Sequence, residues 1–343
     1  MTLYEELEWR GLIKDVAGED IKDKLNNEKI SFYWGTDPTA DSLHLGHYSS
    51  LITAKRLAKA GHHPILLVGG ATGLIGDPRP TAERELIAKE TVEKNIEGIK
   101  AQVLRIFDGN AEIVNNYDWM KDFSFLDFLR DIGKYINVSY MLGKDIISRR
   151  LESGITFAEF SYTLIQGYDF LHLFRSKNCV LQAEGADQWG NIAAGTELQR
   201  KLNFVNGTNY NLIGATNPLL LTPEGKKMGK TEKGAIWIDK DKISAYDFYQ
   251  GVYQTPDACV EMMFALFTDL PMSEVKELIS QDIIQAKKRM CFEITKFVRG
   301  EEDAILAQNM SENLFTDGGN DAPEFELSIS EVENGISIVD LLV

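Results

Sequence analysis

The chain is short of cysteine, short of histidine and has no excess of positive charge, and each shortage removes a class of function. Three cysteines, Cys179, Cys259 and Cys291, are odd in number and widely spaced. They spell neither a disulfide framework nor a zinc pattern, and read as reduced, mostly buried thiols. A net charge of −16 excludes a nucleic-acid binder held by its overall field, though not one with a local basic track. No apolar run reaches the length that spans a bilayer, and MTLYEELEWRGLIKD has neither a cationic start nor a cleavage site. The expectation is a cytoplasmic protein with no membrane partner.

What is present suits a globular chain. With 343 residues, 44% hydrophobic and 26% charged, it can bury the core of two domains. KISFYWG, HPILLVGG and AEIVNN read as short buried strands, and a helix-prone run from about Glu83 to Arg105 precedes the third. NCVLQAEGAD returns to a strand and enters a helix near Asp187. Such alternation predicts an α/β fold with a doubly wound, Rossmann-like parallel sheet and helices on its faces. Residues 120–175 read as a helical insertion. Strand signals stop near Ile243, and amphipathic helical stretches continue to about Leu314. The expected divisions are a Rossmann-like domain at 1–220, a lysine-bearing loop at 221–242 and an all-α domain at 243–315. Residues 316–343 then form an acidic linker and the start of a further module.

Two of the five histidines stand in TADSLHLGH. Asp41 and Ser42 are good N-cap residues, and the apolar rhythm of Leu45, Tyr48 and Ile52 follows, so a helix is expected to begin here. His44 and His47 then share one face of its first turn, where free backbone N–H groups and the macrodipole favour an anion. GKKMGKT looks like a phosphate loop, but Glu224 stands where a Walker loop needs glycine, and the strand-like AIWIDK follows instead of a helix. GGATGLIG lacks the dinucleotide spacing. Taken alone, the histidines fit an ordinary surface or core pair, and Lys227 and Lys230 a solvated turn. Without a third ligand nearby the histidines make no metal site. In FSYTLIQGYDF, Tyr162, Gln166 and Asp169 fall within roughly 60° of arc on a helix. Phe160, Leu164, Ile165 and Phe170 around them are apolar, so this polar stripe is either an exposed face or a buried one that wants a polar guest.

Together these segments resemble a known pair. DPTADSLHLGH resembles the H-x-G-H signature of class I aminoacyl-tRNA synthetases, and KMGKT resembles their lysine-rich second signature. YWGTDPTADSLHLGH, VGGATGLIGDP, FSYTLIQGYDFLHL, GADQWGN and KKMGKTEKGAIWID, in that order, narrow the resemblance to the bacterial tyrosyl-tRNA synthetase family. It covers essentially the whole chain. The resemblance implies activation of L-tyrosine by ATP, carried with Mg2+, to tyrosyl-adenylate and pyrophosphate, then transfer to the 3′ end of tRNA(Tyr). It implies no tightly bound cofactor and no resident metal. A homodimer is also implied, and YINVSYMLGKDIISRRL repeats apolar residues in a way a monomer surface rarely exposes. Family members continue past a stretch like IVDLLV into a basic S4-like RNA-binding module, which is not among these residues.

Carried over by motif, His44, His47 and Thr39 donate to ATP phosphates, and Gly46 lets the nucleotide approach the backbone. Lys227 and Lys230 close over the pyrophosphate on a mobile loop, and Arg84 is a further phosphate contact. Tyr33 and Asp169 bind the substrate phenol, while Tyr162, Gln166 and Asp77 hold its ammonium group, with Gln182 orienting that site. Asp187 accepts from the ribose, unless it serves only as a helix N-cap, and Gln188 contacts the carboxyl or adenylate. Gly35, Asp37, Gly185, Leu220 and Met228 complete the adenylate pocket. Trp34, Thr36, Glu184 and a shortened loop after Asp77 depart from the family pattern. The helical stretch carries Lys287, Lys288, Arg289, Lys296 and Arg299, either a modest basic track or a solvated face. Two other readings remain: a noncatalytic RNA-binding or scaffold protein on a synthetase fold, and a tryptophanyl-tRNA synthetase.

Overall fold

A computed structural model describes residues 1–78, 85–151, 153–225, 227–231 and 234–313. Its main sheet has six strands: β1 (Asp15–Ala17), β2 (Ser31–Thr36), β3 (His63–Val68), β4 (Glu112–Asn115), β5 (Cys179–Gly185) and β6 (Ile213–Asn217). Their spatial order is β1-β6-β5-β2-β3-β4. Five strands run parallel and β1 pairs antiparallel with β6, so the expected parallel sheet has an antiparallel edge. β3 and β5 are almost wholly buried, and β2 is buried over residues 32–34, as apolar strands covered on both faces must be. The order reverses between β2 and β5, because β3 and β4 extend the sheet one way and β6 the other. In open α/β sheets ligands enter at such a switch point, beyond the carboxyl ends of the strands.

The expected helix at the histidines spans Leu45–Lys59, and the run placed at Glu83 to Arg105 forms a helix over Lys89–Ile106. The insertion between β4 and β5 is helical and ends in the long helix Phe157–Lys177. AIWIDK, expected as a strand, contributes only Ala235 to the two-residue strand Gly234–Ala235, paired with Lys230–Thr231, and a single bridge from Trp237 to His44. From Ala245 to Asn313 the chain is helical. These helices share one buried core with the sheet: Tyr48 stacks on Phe267 and meets Phe297 edge-on.

Candidate active site

At the switch point lies a cavity of about 870 Å³. Tyr33, Gly35, Asp37 and Thr39 reach it from β2 and the loop beyond, and Gly185, Asp187 and Gln188 from the end of β5. Tyr162, Gln166 and Asp169 line it from the long helix, Asp77 from the loop after β3, and Leu220, Lys227 and Met228 from the lysine loop. His44, Gly46 and His47 close it at the first turn of their helix. Gln182 is buried in β5 in register with Tyr33 rather than on the lining. Arg84 lies outside the described residues, and of Lys230 only the backbone is described.

The deep end is polar and buried. Asp169 is 1% exposed; its carboxyl accepts from Trp119 Nε1 at 2.8 Å and Asn116 Nδ2 at 3.0 Å. Burial pushes it up to about 7, against the pull of those two donors. Beside it, Tyr33 Oη is buried with no hydrogen-bond partner among the described residues, as is Gln166 Oε1. Burial, then the Asp169 and Glu184 carboxyls, drives the Tyr33 phenol well above its ordinary range. Tyr162 donates to Asp37 Oδ2 at 2.9 Å, and Thr72 to Asp37 Oδ1 at 2.7 Å. Asn116, Trp119 and Thr72 are absent from the sequence reading. The signal was VNNYDW, two amides and an indole just past the carboxyl end of a strand, where ligand contacts concentrate.

The first turn of the Leu45–Lys59 helix departs from expectation. Its N-cap is His44, whose Nδ1 accepts from Gly46 N at 3.1 Å and His47 N at 3.4 Å. Asp41 instead pairs with Lys242 at 2.6 Å, and Ser42 accepts from the buried Gln102 amide. Ile236 O takes the Leu45 amide at 2.9 Å. The first three amides are therefore satisfied internally and do not form the free anion cradle expected from the sequence. The imidazoles themselves line the cavity there. With Nδ1 of His44 accepting, and Nδ1 of His47 at 3.5 Å from the His44 amide, each neutral ring carries its proton on Nε2. The rings stack at 3.8 Å, so the two Nε2–H groups share one side of the turn, at the positive end of the macrodipole.

The lysine loop packs directly on that turn. Gly229 has φ +92°, and a Cβ there would lie 2.7 Å from Gly46 N; only glycine permits both. Ile236 donates to Gly229 O at 2.9 Å. Lys227 Nζ forms an ion pair with Asp187 Oδ2 at 3.0 Å, rather than standing free for phosphate. Gln188 donates to Asp77 Oδ2 at 3.0 Å, and Asn191, itself held by Thr163, donates to Asp77 Oδ1 at 3.2 Å. Asn191, the last residue of GADQWGN, is a further partner of Asp77 to which the sequence reading gave no role.

A nucleotide-binding switch point, a histidine pair at a helix mouth and a lysine loop folded onto it define a synthetase-type site. The chain belongs to the class I tRNA synthetases of the W and Y family, whose model matches residues 25–316. Curated relatives named tyrosine–tRNA ligase include that of Geobacillus stearothermophilus, 45% identical over 100% of this chain and 83% of the relative's length. That of Acetivibrio thermocellus is 43% identical over 100% of this chain and 85% of its own length. Among solved structures, a C-terminally truncated mitochondrial tyrosyl-tRNA synthetase of Aspergillus nidulans superposes with a TM-score of 0.78 at 32% identity. It covers 92% of this chain, which covers 94% of it. A tryptophanyl-tRNA synthetase of Encephalitozoon cuniculi, at 14% identity and TM-score 0.64, covers 92% of this chain, which covers 88% of it, and shares the fold alone.

Proposed function

We propose that this chain is an aminoacyl-tRNA synthetase that activates L-tyrosine with ATP and transfers the tyrosyl group to the 3′ end of tRNA(Tyr). The observation that carries the amino-acid choice is the unpaired Tyr33 Oη at the buried end of the cavity, beside Asp169. A substrate phenol there would accept from Tyr33 and donate to Asp169. Phenylalanine would leave the buried Tyr33 hydroxyl unpaired and withdraw a donor from Asp169, which costs more than the bond itself contributes. At the other end of the amino acid, Gln166 Oε1, Asp77 and the Tyr162 hydroxyl suit an ammonium group.

Activation then needs positioning and charge, not a protein nucleophile. The tyrosine carboxylate attacks the α-phosphorus, and the bond to pyrophosphate breaks. His44 and His47 donate from Nε2 to the departing phosphates, with Thr39 beside them. The lining carries Asp37, Asp77, Asp169, Glu184 and Asp187, so a triphosphate enters as its Mg2+ complex, with the lysine signature supplying further positive charge. Lys227 must exchange Asp187 for pyrophosphate, which frees Asp187 for the ribose; Lys230 and Arg84 complete the phosphate set. In this reading residues 1–220 and the loop at 221–242 do the chemistry, and residues 243–315 face the body of the tRNA. The enzyme works in the cytoplasm as a homodimer.

Amino-acid-dependent exchange of pyrophosphate into ATP tests the reading, run with tyrosine, tryptophan and phenylalanine. Exchange with tyrosine alone is expected. Exchange with tryptophan would transfer the assignment to the sister enzyme, and none at all would favour a noncatalytic RNA-binding role.

A further inference from the structure

The register of β2 and β5 pairs Tyr33 with Gln182, and two residues on it brings Glu184 beside Gly35. Side chains alternate along a strand, so Glu184 shares the face of Gln182 and looks toward the same substrate cavity. It is 5% exposed. Its Oε1 accepts from Gly35 N at 2.6 Å and lies 3.5 Å from where a Cβ on Gly35 would be. The carboxyl thus lies against the glycine backbone, held there by the Gly35 amide. Both residues line the cavity, between the groups suited to the ammonium and Asp187, suited to the ribose.

No cation answers it among the described side chains. β2 brings Tyr33 and Asp37, the turn after β5 brings Asp187, and the long helix brings Asp169; Lys227 is engaged by Asp187. Burial, then repulsion from Asp187 and Asp37, pushes the Glu184 carboxyl well above the usual carboxylate range, against the pull of the Gly35 amide and Gln182. A carboxylic acid accepting on one oxygen still has an O–H to donate.

We propose that Glu184 works as a neutral acid whose O–H donates to the anionic oxygens where the tyrosine carboxylate meets the α-phosphate. The idea rests on the tyrosine-activating reading above. A carboxylate at this point would repel both reactants, whereas a buried donor binds them and strengthens as charge gathers on the phosphoryl oxygens. The proton stays on Glu184 throughout. The new bond runs from the tyrosine carboxylate oxygen to phosphorus, and the electron pair of the breaking bond leaves with pyrophosphate.

The test is tyrosine-dependent exchange across pH 6 to 9.5 with the full chain and its Glu184→Gln and Glu184→Ala variants. Glutamine keeps a donor and an acceptor but cannot ionise. Glu184→Ala is expected to lose about 10- to 100-fold in kcat/KM for tyrosine, the scale of one hydrogen bond to a charged group. Glu184→Gln, which keeps the donor, should restore most of that loss at pH 7. An equal loss in both variants overturns the proposal. So does a glutamine variant more active than wild type at pH 7, since that would mark a repulsive carboxylate. If the unsubstituted chain exchanges nothing with tyrosine, the parent reading fails and this one with it. Normal exchange with an unaffected Glu184→Ala defeats this one alone.

Discussion

His44 and Asp169 each carry a structural duty and a chemical one, and the two duties separate by substitution. His44 caps its helix through Nδ1 while Nε2 faces the cavity. Asparagine is a strong N-cap but cannot reach with a second donor in the same direction. Compared with His44→Ala, which should cost about 1 kcal/mol of stability, His44→Asn should keep the melting temperature. Both should slow adenylate formation by one to three orders of magnitude, on the scale of one lost transition-state donor, with tyrosine affinity nearly unchanged. Pre-steady-state fluorescence or exchange kinetics separates the two; equal loss in tyrosine binding and in rate would count against the assignment. Asp169 makes a statement about pH. Its carboxyl titrates near 3.8 in an unfolded chain and at about 7 when buried, so the folded state holds the extra proton between those values. Its contribution to stability is fully present below about pH 4 and is lost as pH rises to 7. Asp169→Asn should therefore gain stability relative to the parent as pH climbs from 4 to 7, and level off above 7. Denaturant melts at several pH values check the slope, whatever constant penalty the amide meets at Asn116 and Trp119. Neither property was legible in the sequence. The spacing of Tyr162, Gln166 and Asp169 showed which residues share a face, but not that Trp119 and Asn116 would close over the carboxyl.

The Leu45–Lys59 helix joins two parts of the chain from its opposite ends. Its first turn presents the histidines, and near its last turn Arg56, 8% exposed, donates to Thr268 O at 2.8 Å and to Asp269 at 2.9 Å. Arg10 reaches Thr268 O at 3.0 Å and Ala265 O at 3.3 Å. The two guanidinium groups so satisfy carbonyls that the helix Val260–Phe267 leaves open at its C-terminal end. Arg56→Met keeps the apolar stem but removes the Asp269 pair and one of the two donors on Thr268 O, and should destabilise the fold by about 2 kcal/mol; urea unfolding measures it. A shift under a few tenths would show that water replaces the clamp. This clamp joins positions more than two hundred residues apart, which no local pattern announces. At the same scale, β2 to β5 were legible because they are continuous apolar runs bounded by turn residues. β1 and β6 were not. Asp15–Ala17 is three residues at an edge, and Ile213–Asn217 reads as a loop because Gly214, Thr216 and Asn217 are there for packing and pairing. A Cβ on Gly214 would lie 2.1 Å from Ile192, and Thr216 is bound to Asp15. The helix start at Asp41 failed for the same reason: better capping residues were claimed by Gln102 and Lys242.

At the scale of the whole molecule, charge and apolar surface are distributed differently from what composition suggests. The basic residues of the C-terminal helices, which the sequence left as either a basic track or a solvated face, are largely spent inside the chain. Lys287 pairs with Asp257, Arg289 with Glu293 and Lys296 with Glu301, while Arg299 is buried on Ile243 O and Asp303. The insertion between β4 and β5 has the opposite character. Phe125, Leu126, Val138 and Phe157 are each more than 60% exposed, and Tyr140, Leu142 and Leu151 lie partly open in the segment that sequence patterning singled out. Scattered apolar side chains on a surface need no explanation, but this many on one insertion do. The insertion carries the long helix that supplies Tyr162, Gln166 and Asp169, so covering it would also steady the tyrosine site. A homodimer through an isologous face satisfies both demands. Sedimentation equilibrium at micromolar concentration should then give about twice the 38.6 kDa of one chain. Leu126→Asp combined with Val138→Asp should shift the mass toward the monomer while leaving far-ultraviolet circular dichroism unchanged, and should weaken tyrosine binding more than ATP binding. A single 38.6 kDa species from the unsubstituted chain would defeat the dimer. A double variant that stays dimeric would move the interface elsewhere on the molecule.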